Sequence, residues 1–218
     1  MIKAILFDLD GTIINSEEGI TKCVQYALKS FGIDEPDLKK LLCFIGPPLE
    51  PVFREKYGFD KEKAWQAVLK YRERFDKTGI FECELYDGVA EAIRELKKEG
   101  YVIALASSKP ETACRRILEH FSLTSYFDEI VGSTLDVSIS TKQQVLEELG
   151  RRMEHMQITK DEMCLIGDTE YDVIGANQFG IRCVGVSYGF GKREQLERAG
   201  AYCVCDSMAE VVDALQQM

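Results

Sequence analysis

The sequence predicts an α/β fold, a mostly parallel, doubly wound sheet whose first strand is followed by an inserted, all-helical domain. Short β-rich runs recur at Ile2 to Phe7, Val102 to Ala106, Met163 to Ile166, Arg182 to Val186 and Tyr202 to Val204. Amphipathic helical stretches separate them, and strands alternating with helices favour parallel pairing with helices on the sheet faces. From Ser16 to about Cys83 the rhythm breaks, because helix follows helix with no convincing strand.

The first run carries Lys3 and is halted by Asp8, so it is too short for a signal peptide and a cytoplasmic location is expected. Ser16 is positioned to cap the next helix, with Glu17 and Glu18 in its first turn and Ile20, Cys23, Val24, Ala27, Leu28 and Phe31 on one stripe. A second helix is expected after Pro36, and a third carries Ala64, Trp65, Val68, Leu69 and Phe75. Between them Phe44-Ile45-Gly46-Pro47-Pro48-Leu49 reads as a rigid turn. The expected domains are therefore a core of residues 1–15 and 84–218 and a helical insertion of residues 16–83. Val89, Ala92, Ile93 and Leu96 then repeat at helical spacing and stop at Gly100, while Val211, Val212 and Leu215 do so near the C-terminus.

Composition excludes several function classes. The chain has 218 residues, enough for a self-sufficient core, with 45% hydrophobic and 29% charged residues. No stretch approaches the roughly 20 apolar residues of a membrane span. With 27 basic against 37 acidic residues the net charge is −10, which disfavours nucleic-acid polymers and leaves a small anionic partner open. The 8 cysteines lack paired CxxC spacing and read as reduced thiols, Cys203 and Cys205 as small core side chains. His120 and His155 read as structural or surface residues. Monomer and homodimer are both compatible with the apolar residues of the insertion.

Chemistry concentrates at strand ends. Asp8-Leu9-Asp10-Gly11-Thr12 follows the first strand directly, at the carboxyl end where open α/β sheets assemble ligand sites. Adjacent carboxylates there repel unless a cation joins them, and oxygen ligands suit magnesium. Ser107-Ser108-Lys109-Pro110 follows the second run in the same relation; its hydroxyls and amides can hold phosphoryl oxygens, or the serines can cap a helix. A third strand ends in Gly167-Asp168, with Asp172 four residues on, so both carboxylates can face one metal region. Lys142 opens a helix, where a cation is unhelpful to the helix dipole and a functional role would explain it.

The order of these residues resembles the four-motif signature of the haloacid dehalogenase superfamily, over nearly the whole chain. The resemblance implies a Rossmann-like core and a phosphatase in which Asp8 is the nucleophile, Asp10 the acid/base, Ser107 the second-motif hydroxyl, Lys142 the third-motif lysine and Asp168 the fourth-motif acid. It further implies magnesium held by Asp8, Asp10 through its carbonyl, and Asp168, with Asp172 orienting metal waters. Ser107, Ser108, Lys109 and Lys142 would bind the phosphate of a small phosphorylated metabolite, and Gly46, Pro47, Pro48 and Arg54 are specificity candidates on a cap expected to close over the site. Asn15-Ser16, Tyr86-Asp87-Gly88-Val89 and Gly167-Asp168-Thr169 with Asp172 look like phosphoglycolate phosphatases, whereas Phe44 to Leu49 is similar to a branch of bacterial 5′-nucleotidases. Asp10 argues against a dehalogenase, Gly46 to Leu49 does not match a sugar phosphomutase cap loop, and placing both acids on the first strand end argues against a phospho-aspartate receiver module.

Overall fold

The structure, a computed structural model, describes residues 1–136 and 138–218. Its principal sheet contains β1 (Ala4–Phe7), β4 (Val102–Pro110), β5 (Glu129–Ser133), β6 (Met163–Gly167), β7 (Arg182–Val186) and β8 (Cys203–Cys205), in the order β5-β4-β1-β6-β7-β8. All neighbouring pairs are parallel. Two-residue strands β2 (Ile14–Asn15) and β3 (Glu84–Leu85) form a second sheet. The chain divides into two compact units, Met1–Asn15 with Leu85–Met218, and Ser16–Glu84.

In the first unit, Ala4 and Leu6 of β1, Ala104 and Ala106 of β4 and Leu165 of β6 join one buried cluster with Val145, Leu146 and Leu149 of α6 (Lys142–Arg152) and Val173 and Ala176 of α7 (Glu170–Phe179). Ile5, Phe7, Ile103 and Leu105, the intervening residues, are also fully buried. A parallel strand covered on both faces reads as a continuous apolar run, as Ala4–Phe7 does. The remaining core helices are α4 (Val89–Lys98), α5 (Glu111–His120), α8 (Arg193–Ala199) and α9 (Met208–Gln216).

The sheet order fixes the switch point. The chain leaves β1 for β4 and then β5 on one side, and α6 carries it back to β6 on the other. Ligand sites of open α/β sheets form at the carboxyl ends of strands at such a reversal.

Several local expectations are corrected. β5 was not expected, because only Ile130 and Val131 are apolar and adjacent in this edge strand. β4 runs past Ala106 to Pro110 with a register irregularity, and α5 takes Pro110 as its N-cap, so Ser107 and Ser108 are not helix caps. β8 lies one residue later than expected, leaving Cys203 half-buried and Cys205 buried.

The second unit contains α1 (Glu17–Ser30), α2 (Leu49–Tyr57) and α3 (Lys61–Phe75). Ser16 occupies the N-cap position of α1, but its buried hydroxyl makes no cap bond. The segment after Pro36 is a 3-10 helix, Leu38–Phe44, capped by Asp37. The expected rigid turn is shorter than its sequence suggested, since Phe44 ends that helix and Leu49 begins α2. Of the expected stripe on α3, Ala64, Val68 and Phe75 are buried, whereas Trp65 and Leu69 are each 39% exposed; Phe44, Phe53 and Phe59 join the buried core of the unit, with Phe44 and Phe53 centroids 4.7 Å apart. Among the described residues, no helix is long and apolar enough to cross a membrane.

Candidate active site

The sheet register gathers the strand-end residues. Phe7 pairs with Leu105 on one side and Ile166 on the other, so Asp8, Ser107 and Asp168 emerge at the same end of three adjacent strands. The Asp8 amide still donates to Ile166 O at 2.9 Å, which fixes its backbone. Beyond it the chain folds back tightly, with the Ile13 and Ile14 amides donating to Leu9 O at 2.9 and 3.0 Å. Gly11 sits at φ 84°, and a side chain there would occupy the space of the Asp168 carboxylate.

Among the described residues, the buried polar or charged side chains are Asp8, Thr12, Ser16, Thr21, Ser107, Lys142, Asp168 and Asp172. Burying a charge costs several kcal/mol unless it is paired, so concentrating the ionisable Asp8, Lys142, Asp168 and Asp172 there requires compensation. Lys142 supplies much of it. Its Nζ donates at 2.7 Å to Asp8 Oδ1, to Asp172 Oδ1 and to Ala106 O. A capping box of Thr141 and Gln144 fixes the start of α6, and at Gly175 of α7 a Cβ would lie 2.6 Å from Lys142 Cγ, so the aliphatic stem is tightly enclosed. Burial opposes the charge on Lys142, but Asp172 and Asp8 hold its ammonium above the usual lysine range. Burial pushes the Asp8 carboxyl up to about 6; Lys142 counteracts this and Asp172 adds to it.

Asp168 is fully buried, with Oδ2 accepting from the Phe190 amide at 2.7 Å and Oδ1 without a partner. Burial, then the charges of Asp172 and Asp8, raise its pKa well above the usual carboxylate range. Ligand atoms of Asp8, Asp168 and Asp172 all lie within 4.8 Å of one another. Three buried carboxylates beside one ammonium, with one buried Asp168 oxygen lacking a partner, fit a hard divalent cation and its oxygen-only coordination. Asp172 has other obligations as well. Its Oδ1 pairs with Lys142, and its Oδ2 accepts from the Thr169 amide and hydroxyl at 3.0 and 2.8 Å, closing the capping box of α7.

Asp10 pairs with Lys109, Oδ1 to Nζ at 3.0 Å, with both side chains largely buried. Ser107 is buried and its Oγ accepts from the Lys109 amide at 3.3 Å, while Ser108 is half-buried. The cap candidates belong to the other unit, where Gly46 is exposed at φ 100°, Pro47 half-buried, Pro48 exposed, and Arg54 exposed at 3.6 Å from Glu50.

A family model for haloacid dehalogenase-like hydrolases matches residues 5–186. This chain belongs to that family. The protein is an enzyme of the haloacid dehalogenase-like hydrolases, a phosphatase. It is 41% identical over 212 residues to a 5′-nucleotidase of Pseudomonas aeruginosa, covering 97% of this chain and 95% of that one. A pyrophosphatase of Bacillus cereus is 29% identical over 217 residues, 100% of this chain and 98% of its own. The crystal structure of a predicted phosphatase from Clostridium acetobutylicum superposes with a TM-score of 0.93 at 44% identity, covering 100% of both chains.

Sequence reasoning missed one part of this hydrolase's site, the turn Tyr188-Gly189-Phe190-Gly191 after β7. Besides the Phe190 amide on Asp168, the Tyr188 hydroxyl donates to Thr12 O at 3.0 Å, and its ring meets Tyr86 at 4.7 Å. Burial, followed by the nearby Asp168 charge, keeps the Tyr188 phenol protonated far above its usual range. The available signal was a Gly-x-Gly directly beyond a strand end, in the same position as the other chemistry-bearing segments.

Proposed function

We propose that this phosphatase is a magnesium-dependent hydrolase of small phosphomonoesters that works through an aspartyl-phosphate on Asp8. The observation that carries the reading is the buried chain Asp8–Lys142–Asp172 beside Asp168, whose Oδ1 has no partner. A carboxylate is a nucleophile at neutral pH without prior deprotonation, and Lys142 favours the anionic form of Asp8.

In the proposed reaction an Asp8 oxygen attacks phosphorus, and the bond from phosphorus to the leaving oxygen breaks. Asp10 gives that oxygen its proton, then takes one from the water that attacks the phosphorus and releases phosphate with Asp8 restored. The Lys109 ammonium, 3.0 Å from Asp10 Oδ1, orients this acid/base. Ser107, Ser108 and neighbouring amides receive phosphoryl oxygens, and Lys142 balances charge beside the nucleophile. Magnesium, held by Asp8, the Asp10 carbonyl and Asp168, supplies Lewis-acid neutralisation of the phosphoryl charge when bound. Asp172 keeps Lys142 in place.

For the substrate we infer a nucleoside 5′-monophosphate, because a relative aligned over 97% of the chain is named a 5′-nucleotidase. Phosphoglycolate is the second reading, favoured by the Tyr86-Asp87-Gly88-Val89 and Gly167-Asp168-Thr169 segments. Phosphate release from nucleoside monophosphates, phosphoglycolate, sugar phosphates and pyrophosphate, ranked by kcat/KM with magnesium present, tests the choice. Nucleotides anywhere but first overturn the substrate inference. Asp8→Asn should abolish turnover of every substrate while the protein stays folded, and turnover surviving in that variant removes Asp8 as nucleophile.

A further inference from the structure

The turn from Tyr188 to Gly191 is built against Asp168 on several sides at once. Oδ2 of Asp168 receives the Phe190 amide at 2.7 Å. A Cβ at Gly189 would lie 2.5 Å from that same Oδ2 and would also overlap Gly11 O, while one at Gly191 would overlap the Asp168 carbonyl oxygen. Tyr188 ties the turn to the Asp8–Thr12 loop through its hydroxyl bond to Thr12 O. One carboxylate oxygen is thereby satisfied and walled in, and the other, Oδ1, is buried without a partner. A carboxylate free to rotate would exchange its two oxygens. Here the backbones of Gly11 and Gly189 approach the carboxylate so closely that a Cβ on either would overlap Oδ2, and the Phe190 amide holds that oxygen in place.

We propose that Tyr188, Gly189, Phe190 and Gly191 form a positioning element for the metal, locking the Asp168 carboxylate so that Oδ1 alone is presented to the cation. The inference rests on Asp168 being a metal ligand. These residues are positioning residues, acting through Asp168. Groups that orient a metal ligand from behind typically change affinity by about 10–100-fold when altered. The Gly189 and Gly191 positions act sterically, whereas the Tyr188 hydroxyl holds the turn to the loop that carries Asp8 and Asp10.

The test is calorimetric titration of magnesium chloride alone into the full chain, with circular dichroism and thermal unfolding in EDTA as the fold control. Gly189→Ala should weaken magnesium binding by about tenfold or more while secondary structure is retained. Tyr188→Phe adds no atom and removes one hydrogen bond, and should weaken binding by roughly threefold, the equivalent of about 0.65 kcal/mol. A folded Gly189→Ala protein that binds magnesium as tightly as the parent overturns the proposal. Should that variant not fold, Tyr188→Phe decides, and parental affinity there overturns it equally. A parent protein that binds no magnesium sinks the metal reading itself, an outcome distinct from equal binding by parent and variant.

Discussion

Replacing Lys142 with methionine keeps the unbranched stem, one atom shorter, and removes the charge from the centre of the site. Two carboxylate contacts at 2.7 Å are lost, to Asp8 and Asp172. At an effective dielectric of 20, each corresponds to about 6 kcal/mol of Coulomb attraction, much of it offset by the cost of desolvating the ions. Removing one partner of such a buried pair typically destabilises by about 3–5 kcal/mol, because the other charges stay buried. For a chain of this size the thermal midpoint in EDTA should fall by roughly 10 °C. Activity should fall further than stability accounts for, since the same ammonium balances charge beside the proposed nucleophile. A loss of about 4 kcal/mol from the transition state is close to 10³-fold in kcat/KM. The assay is p-nitrophenyl phosphate hydrolysis under saturating magnesium at a temperature where the variant is folded, together with unfolding followed by circular dichroism. A Lys142→Met protein with the parental midpoint and more than roughly a tenth of the parental kcat/KM would refute this account of the charge network.

Asp10→Asn should lower turnover by about 10²–10⁴-fold, and more severely for alkyl phosphates than for p-nitrophenyl phosphate, whose leaving group needs little protonation. Equal losses on both substrate types would count against a leaving-group role. EDTA should silence the enzyme and magnesium restore it, and Asp168→Ala should raise the magnesium concentration needed for half-maximal activity; an unchanged requirement contradicts the ligand assignment. Arg74 donates to both Glu82 oxygens, at 2.6 and 2.9 Å, and to Cys23 Sγ at 3.2 Å. Arg74→Ala should therefore cost about 1–2 kcal/mol of stability by denaturant titration. The bond from Arg74 holds the Glu82 carboxyl below its usual range, so this contribution is in force above about pH 4.3 and fades as the pH falls further. A variant whose deficit is the same at pH 7 and pH 3 argues against that pairing.

Much of the architecture is legible in the amino-acid order because burial imposes a period. Ala4–Phe7, Met163–Gly167 and Arg182–Val186 are apolar throughout or nearly so, as strands covered on two faces must be. Asp8, Ser107 and Asp168 stand out by the same logic, being polar residues directly at the ends of such runs. Signals failed where the local pattern was short or overridden. Ile130 and Val131 are too few to announce an edge strand, and Leu49 begins a helix directly after two prolines that read as a turn. Trp65 and Leu69 fit an apolar stripe by spacing alone, yet packing leaves them partly exposed, with Arg72 over the Trp65 ring.

By itself the sequence determined the fold class, the alternation of strand and helix, and the candidate residues of the three strand-end segments, because hydrophobic period and polar punctuation are local properties of the chain. Only the tertiary structure decided who meets whom. Lys142 reaches Asp8 across 134 positions because α6 crosses back over β1 at the switch point. Whether Asp10 faces Lys109, which oxygen of Asp168 is satisfied, and why the turn at Gly189 and Gly191 admits no side chain are likewise set by the register of separate strands. Those distances arise between segments remote in sequence, brought together by burial of the sheet, and no local pattern encodes them.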